Sequence, residues 1–338
     1  MNLTLMKETK EMDHQGWRAW HDESEPLRLG VSACLLGEEV RFDGGHKRDR
    51  FVTDVLGPWV EWVSVCPEVE VGMGTPRPSI RIVNSEQGER LVAPKTDQDF
   101  TDEMHSYAAE RTSKLEALGL DGYVFKRGSP SCGMERIAVY HKGSPLHKNG
   151  RGLFAGALMD RMVELPTEED GRLNDPLLRE NFIERILCHH RWRVAKKRGL
   201  SRKLLVQFHQ AHKLLLRTHD EGGYRRLGTL VGSAGTIPDE QLYGEYGAEF
   251  HACLKIKPTV KRHTNALQHA MGYFKTLLDS VEKQELLQTI EDYRLGMIPL
   301  VVPLSLLRFN ARRHQVKYLL GQLYFDPHPK ELMLRNHC

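Results

Sequence analysis

No run of apolar residues in this 338-residue chain approaches the ~18 that a membrane-spanning helix needs. The opening stretch, Met1–Asp22, mixes Lys, Glu, Asp and Trp and lacks the apolar centre of a secretory signal. The glycine patterns that cradle nucleotides, GxGxxG after a strand and GxxxxGKS/T, are missing, so no nicotinamide, flavin or other nucleotide cofactor is expected. Cysteines number only six, and none forms the closely spaced C-x2–4-C pair of most structural zinc sites. No internal repeat or low-complexity tract stands out. With nothing pointing to secretion, a cytoplasmic location is expected. The cysteines are then metal ligands, catalytic groups or buried fillers rather than disulfides.

With 40% hydrophobic and 28% charged residues, the composition is that of a soluble globular protein. Its length suits two domains. A formal net charge of +3 conceals an asymmetry. Residues 1–165 carry 21 Lys+Arg against 26 Asp+Glu, whereas residues 166–338 carry 27 against 19. Such a split predicts two domains with different partners. The polar stretch 165–176, with Pro, Gly and Asn, marks the boundary.

In the front half, short β-rich runs at 27–33, 59–65 and 122–126 alternate with helical patterns at 99–118 and 152–162. This alternation predicts an α/β domain with a largely parallel, Rossmann-like sheet. Beyond residue 175 strand signals are few. Amphipathic stretches at 177–197, 201–219, 238–256, 260–278, 283–295 and 304–323 predict an all-α domain, with Ser201 as an N-cap. The domains read as an extension at 1–26, an α/β catalytic domain at 27–170 and a helical domain at 171–338.

Cys34, Cys66 and Cys132 share one kind of position: each follows an apolar run and enters a turn. In a parallel sheet all three lie at the carboxyl edge, where open α/β sheets bind ligands. Thiolates suit zinc, copper(I) or an iron–sulfur cluster. A cluster accepts widely separated ligands, though most use four cysteines. Three on a four-iron cluster leave one iron open for substrate. Nearby, Glu68 is a candidate proton donor and acceptor, and Ser129 offers a hydroxyl. Asp43, Arg77, Lys126 and Arg127 are candidate substrate contacts. Cys188, Cys253 and Cys338 share no motif and read as buried or incidental. His209 and His212 lack the acidic partner that would favour a metal.

The segments VSACLLG and VRFDGGH, VCPEVEVGMGTPRP and KRGSPSCG resemble the DUF523 family, whose characterised members are the TudS thiouracil desulfidases. The resemblance covers about residues 27–165. The back half resembles DUF1722, and together they look like the RudS-type fusion that removes sulfur from 4-thiouridine in tRNA. The resemblance implies a 4Fe-4S cluster on Cys34, Cys66 and Cys132, with an open iron for the substrate sulfur. It also implies Glu68 as the acid/base and Ser129 as its partner serine. At Lys126-Arg-Gly the chain departs from the Lys or Arg-Ser often found before SPSC.

A tRNA partner directs attention to the cations at 185–203. Arg191, Arg193, Lys196, Lys197, Arg198, Arg202 and Lys203 are candidate phosphate contacts, and Trp192 or Tyr224 candidate base platforms. Free thiouracil or a thionucleotide remains an alternative substrate. A nucleic-acid-binding iron–sulfur sensor and a zinc-stabilised RNA adaptor are the readings outside enzymes.

Overall fold

The computed structural model describes residues 16–22, 24–86 and 88–336. The chain divides into two compact units, Pro26–Asp175 and the segment Pro176–Cys338 together with residues before Pro26.

In the first unit the strands are β1 Arg28–Ser32, β2 Glu61–Val65, β3 Arg81–Ser85, β4 Gly88–Ala93, β5 Gln98–Asp99, β6 Gly122–Phe125, β7 Ile137–His141, β8 Ser144–Gly150 and β9 Thr167–Glu169. One sheet runs β2-β1-β6-β9 and is parallel throughout. Its central strands β1 and β6 are buried along nearly their whole length, which is why they read as continuous apolar runs. Gly30 is fixed by its neighbour: a Cβ there would sit 2.2 Å from the Tyr123 ring on β6. Helices Thr101–Ala117 and Leu153–Arg161 supply Met104, Ala108, Leu115, Phe154 and Leu158 to the core around Tyr123 and Phe125.

The largely parallel sheet expected from sequence is this one. A second sheet, β5-β4-β3-β7-β8, has no counterpart in the sequence reading. It is mostly antiparallel, with only β3 and β7 side by side in the same direction. Its strands bury few residues, and β8 is exposed except at Gly150, so no apolar run announces them.

Beyond Asp175 the described residues form helices: Pro176–Lys197, Arg202–His219, Glu221–Gly232, Asp239–Lys255, Val260–Met271, Ser280–Arg294 and Val301–Arg313, with shorter turns after them. Ser201 does cap its helix, accepting from Leu204 N at 3.2 Å. Helix Glu221–Gly232 escaped the sequence reading because it contains four glycines, Gly222, Gly223, Gly228 and Gly232. Asp220 starts it by accepting from the backbone of Gly222 and Gly223 at 3.2 and 2.7 Å. An aromatic core joins Trp192, Phe208, Tyr246 and Phe250, and Trp20 packs edge-on to Phe208 at 5.2 Å.

This packing corrects the phosphate-contact reading at Arg191 and the base-platform reading at Trp192. Arg191 is buried, 2% exposed, and donates to the carbonyls of Trp17 and Pro327 at 2.9 and 2.7 Å. A guanidinium so enclosed cannot meet a phosphate. Trp192 is core and unavailable for stacking. Tyr224 is half-buried, stacked on His209 and covered by Arg217. Arg193 and Lys197 both pair with Glu25, Arg198 pairs with Asp22, and Arg202 pairs with Asp239. The dense cations are largely a binding face for the segment before Pro26. Lys196 and Lys203 stay exposed. The extension read at 1–26 therefore has its described part, from Gly16, in the helical unit; Met1–Gln15 lie outside the described residues, as does Cys338.

Burial also sets how this unit responds to acid. It pushes His209 and His328 down to about 4, and His251 and His263 down to about 3. Unfolded, each titrates near 6.5. Between these values the unfolded chain holds protons that the folded one rejects, so stability rises with pH. The contribution is complete above about pH 6.5 and is lost toward pH 4, at about 1.4 kcal/mol per pH unit for each histidine. Hydrogen exchange across residues 176–336 should show global protection holding above pH 6.5, after correction for intrinsic rates, and falling steeply below it. Flat protection down to pH 4.5 would contradict this.

Candidate active site at the edge of the parallel sheet

The parallel order β2-β1-β6 sets three strand ends side by side. Each end turns immediately into a loop that carries a cysteine. After β1, Cys34 lies in the tight turn Ala33–Leu36, closed by Gly37 at φ +98°, a conformation that favours glycine. After β2, Cys66 heads the short helix Pro67–Glu70, and its backbone N–H donates to Glu70 Oε1 at 3.1 Å. After β6, the loop 126–133 leads to Cys132. Lys126 N donates to Ser32 Oγ at 2.9 Å, tying that loop to the end of β1.

The Cys132 loop is held from behind by the start of helix Leu153–Arg161. Gly152 N donates to Gly133 O at 2.8 Å, Leu153 N to Pro130 O at 3.1 Å and Phe154 N to Ser131 O at 3.1 Å. Gly152 is the hinge of this contact: a Cβ there would lie 2.6 Å from the Ser131 carbonyl carbon and oxygen. These are backbone atoms, with no flexible end to move aside.

Cys34, Cys66, Cys132, Glu68 and Ser129 line one cavity of about 280 Å³. Burial pushes the Cys34 thiol up to about 11, and raises Cys66 as well. Cys132 is raised further, by burial first and then by the charge of Glu68. Bare thiolates are therefore disfavoured here, whereas a bound cation reverses that balance and deprotonates its ligands. Around a single tetrahedral zinc, thiolate sulfurs sit about 4 Å apart. Among the described residues, the metal-competent donors gathered within 4.8 Å of one another are Glu180, Glu184 and His328, not these three thiols. In that trio the two carboxylates are already bridged by Arg335, 3.0 Å from Glu180 and 2.6 Å from Glu184. The wider thiol set suits a multinuclear centre.

Glu68 is the best-supported side chain of the cavity. Its Oε2 accepts from Arg77 Nη2 at 2.6 Å and Nε at 3.0 Å. Its Oε1 accepts from Ser131 Oγ at 2.6 Å and Ser129 Oγ at 3.2 Å. Ser131, fully buried, was missed by the sequence reading, which took only the first serine of SPSC. The signal was the motif itself, which holds both. The two hydroxyls lie 2.8 Å apart, and Ser129 Oγ also accepts from the backbone N–H groups of Ser131 and Cys132. Each hydroxyl has one proton to give: Ser131 spends its own on Oε1, and Ser129 gives its own either to Oε1 directly or to Ser131 Oγ as a short relay.

Arg77 is not the substrate clamp expected. Its remaining donors go to Gly74 O at 2.8 Å, Thr75 Oγ1 at 3.3 Å and Val40 O at 2.9 Å, so it positions Glu68. Asp43 is also corrected: it does not line the cavity, and its carboxylate accepts from Arg41 and from Gly45 N. Lys126 lines the cavity, but its ammonium pairs with Asp170 at 2.9 Å. Arg127 lines it too, with an exposed side chain.

Gly152→Ala tests how the third thiol is held. Forcing a Cβ against the loop backbone should cost about 1–3 kcal/mol of stability. It should also speed maleimide labelling of Cys132. Melting and labelling like those of the native chain would contradict this account of the loop.

Residues 29–170 match the 2-thiouracil desulfurase family, and residues 213–329 match DUF1722, a family of unknown function. The chain is 32% identical over 158 residues to the uncharacterized protein YbgA of Escherichia coli K12, a match over 46% of this chain and 94% of that protein. It is also similar to the solved structure of the 4Fe-4S-dependent thiouracil desulfidase TudS, at 32% identity and a TM-score of 0.36, over 44% of this chain and 93% of that one. With both regions matched, the chain belongs to the family in which a 2-thiouracil desulfurase (DUF523) domain is joined to a DUF1722 domain.

Proposed function

We propose that this chain is a non-redox desulfidase that holds a 4Fe-4S cluster on Cys34, Cys66 and Cys132 and converts 4-thiouridine in tRNA to uridine, releasing sulfide. The observation that carries the proposal is the meeting of three thiols from three parallel strand ends with Glu68 and Ser129 in one cavity, with Ser131 buried behind Glu68. A soft, widely spaced donor set of three fits a cluster with one iron left open. The desulfidase named TudS, similar over 44% of this chain, is itself 4Fe-4S-dependent.

When bound, the cluster supplies a Lewis-acidic iron with a preference for soft sulfur. The chain's own residues do the rest. Glu68 Oε1 takes a proton from the water that attacks C4. Ser129, which lines the cavity, passes its hydrogen bond from that oxygen to the developing anion, while the buried Ser131 goes on donating to the carboxylate. Arg77 keeps Oε2 in place while Oε1 works. Val40 and Ile80 make part of the wall apolar and limit stray water. One C–O bond forms, the C–S bond breaks and sulfur leaves as sulfide. No electron is gained or lost, so no redox partner is needed.

RNA as the carrier of the base is supported by charge. Residues 176–338 hold 26 Lys+Arg against 15 Asp+Glu. Lys196, Lys203, Lys257 and Lys261 are exposed. Their contacts would be to phosphate, without reading sequence.

Anaerobic reconstitution with iron and sulfide, followed by loss of the thiocarbonyl near-UV absorbance of thiolated tRNA and of 4-thiouracil, tests the proposal. Glu68→Gln should keep the visible absorbance of the cluster and lose roughly 10²–10⁴-fold in kcat. Cys34→Ser should lose both cluster and turnover. A failure to bind iron, full turnover in Glu68→Gln, or equal turnover of tRNA and the free base would each contradict the corresponding part.

A further inference from the structure

The helical unit carries a cavity of its own, about 310 Å³ in volume, between the first half of helix Val301–Arg313 and the segment 325–336. That size falls within the range of small-molecule pockets. Leu304, Phe325, Pro327 and Leu334 give it a buried apolar lining, and Val301 and Met333 complete the wall. Met333 is 63% exposed and sits at φ +49°, a left-handed conformation that residues with a side chain rarely adopt. The turn Lys330–Leu332 holds it there, with Met333 N donating to Lys330 O at 2.9 Å. A strained backbone thus keeps a polarisable thioether open at the cavity, and such a side chain packs adaptably against aromatic rings.

The polar groups at this cavity are unspent. Elsewhere in the unit Arg202, Arg217, Arg226, Arg294 and Arg313 each donate to a carboxylate. Arg308 does not: Asp326 Oδ2 stands 3.9 Å from its Nη1, beyond hydrogen-bond reach, so its fork of donors is unused. Lys330 Nζ, the Ser305 hydroxyl and the Asn336 side-chain amide also lack a partner among the described residues. Arg335 lines the cavity as well, but its guanidinium is taken by Glu180 and Glu184. Asp326 is the one carboxylate in the lining, against the two available cations Arg308 and Lys330.

We infer that this cavity of the helical unit is a nucleotide site, whose apolar wall takes a base while Arg308 and Lys330 take its phosphate. Met333 covers the face of the base. Ser305 and Asn336 meet its edge, because a hydroxyl and an amide can each both give and accept, as the alternating donors and acceptors of a base require. A planar guanidinium beside a lysine suits a phosphate better than a lone carboxylate. The inference is independent of the desulfidase reading, since neither the thiols nor Glu68 enter it. A free nucleotide and an unpaired residue of an RNA chain share this chemistry, and the test separates them.

Calorimetry on the full chain with adenosine 5′-monophosphate, adenosine and inorganic phosphate reads the site; a purine is used because the proposed substrate is a pyrimidine. The monophosphate should bind more tightly than either of its parts. Arg308→Gln should weaken the monophosphate about tenfold and leave adenosine unchanged. Ser305→Phe, which fills the cavity from an exposed position, should abolish binding of both without lowering Tm. Met333→Gly relieves the left-handed φ, so it should keep or raise Tm while weakening both ligands, which a merely structural role would not predict. Single-stranded RNA that binds the native chain but binds Ser305→Phe more weakly assigns the site to an unpaired nucleotide of RNA; RNA binding unchanged by Ser305→Phe assigns it to free nucleotides. Binding of neither the monophosphate nor RNA by the native chain, or affinities unchanged in both Arg308→Gln and Ser305→Phe, overturns the site and leaves the desulfidase reading intact. Affinities that shift as stated in a chain that turns over no thiopyrimidine sink the desulfidase reading and keep the site.

Discussion

The parallel pairing of β1 with β2 on one side and β6 on the other is the constraint from which the site follows. Register places Ser32 beside Val65 and Val31 beside Val124, so the chain leaves the sheet at nearly the same level three times. Three loops drawn from positions 34, 66 and 132 then meet without any of them being long. The pairing needs Gly30, because the Tyr123 ring occupies the space of a side chain there. The buried central strands β1 and β6 make that edge rigid. Rigidity is what a metal centre assembled from distant cysteines requires, since no single loop holds its ligands together.

Around that edge the chain spends its polar groups on positioning. Glu68 is gripped by Arg77 through one oxygen and by two serines through the other. Arg77 is in turn locked by three acceptors of the 40–75 region. The Ser131 and Pro130 carbonyls accept from the first turn of Leu153–Arg161, so the helix start fixes the serines and Cys132 together. The carboxylate, the relay and the third thiol therefore share one support, and a shift in any of them is felt by the others.

What the sequence made legible was decided by burial. β1 and β6 are apolar on both faces and declared themselves; the second sheet, half exposed, did not. The cysteines were readable because each follows such a strand, and Glu68 because it stands two residues after one. Ser131 was hidden by proximity to Ser129, as nothing in SPSC tells which hydroxyl is buried. The cations at 185–203 misled for the converse reason. Their density is visible in sequence, but their partners Asp22 and Glu25 come from about 170 residues away, and the carbonyls that enclose Arg191 from Trp17 and Pro327. Pairing of that kind is a property of the fold and leaves no local pattern.

The central claim is that these residues direct water onto a thiocarbonyl carbon with no change of oxidation state. Turnover in ¹⁸O-labelled water, with no electron donor present and sulfide measured alongside, tests it most directly. The account predicts one labelled oxygen at C4 of the pyrimidine and one sulfide for each turnover. An unlabelled product, or turnover that begins only when a reductant is supplied, would contradict it.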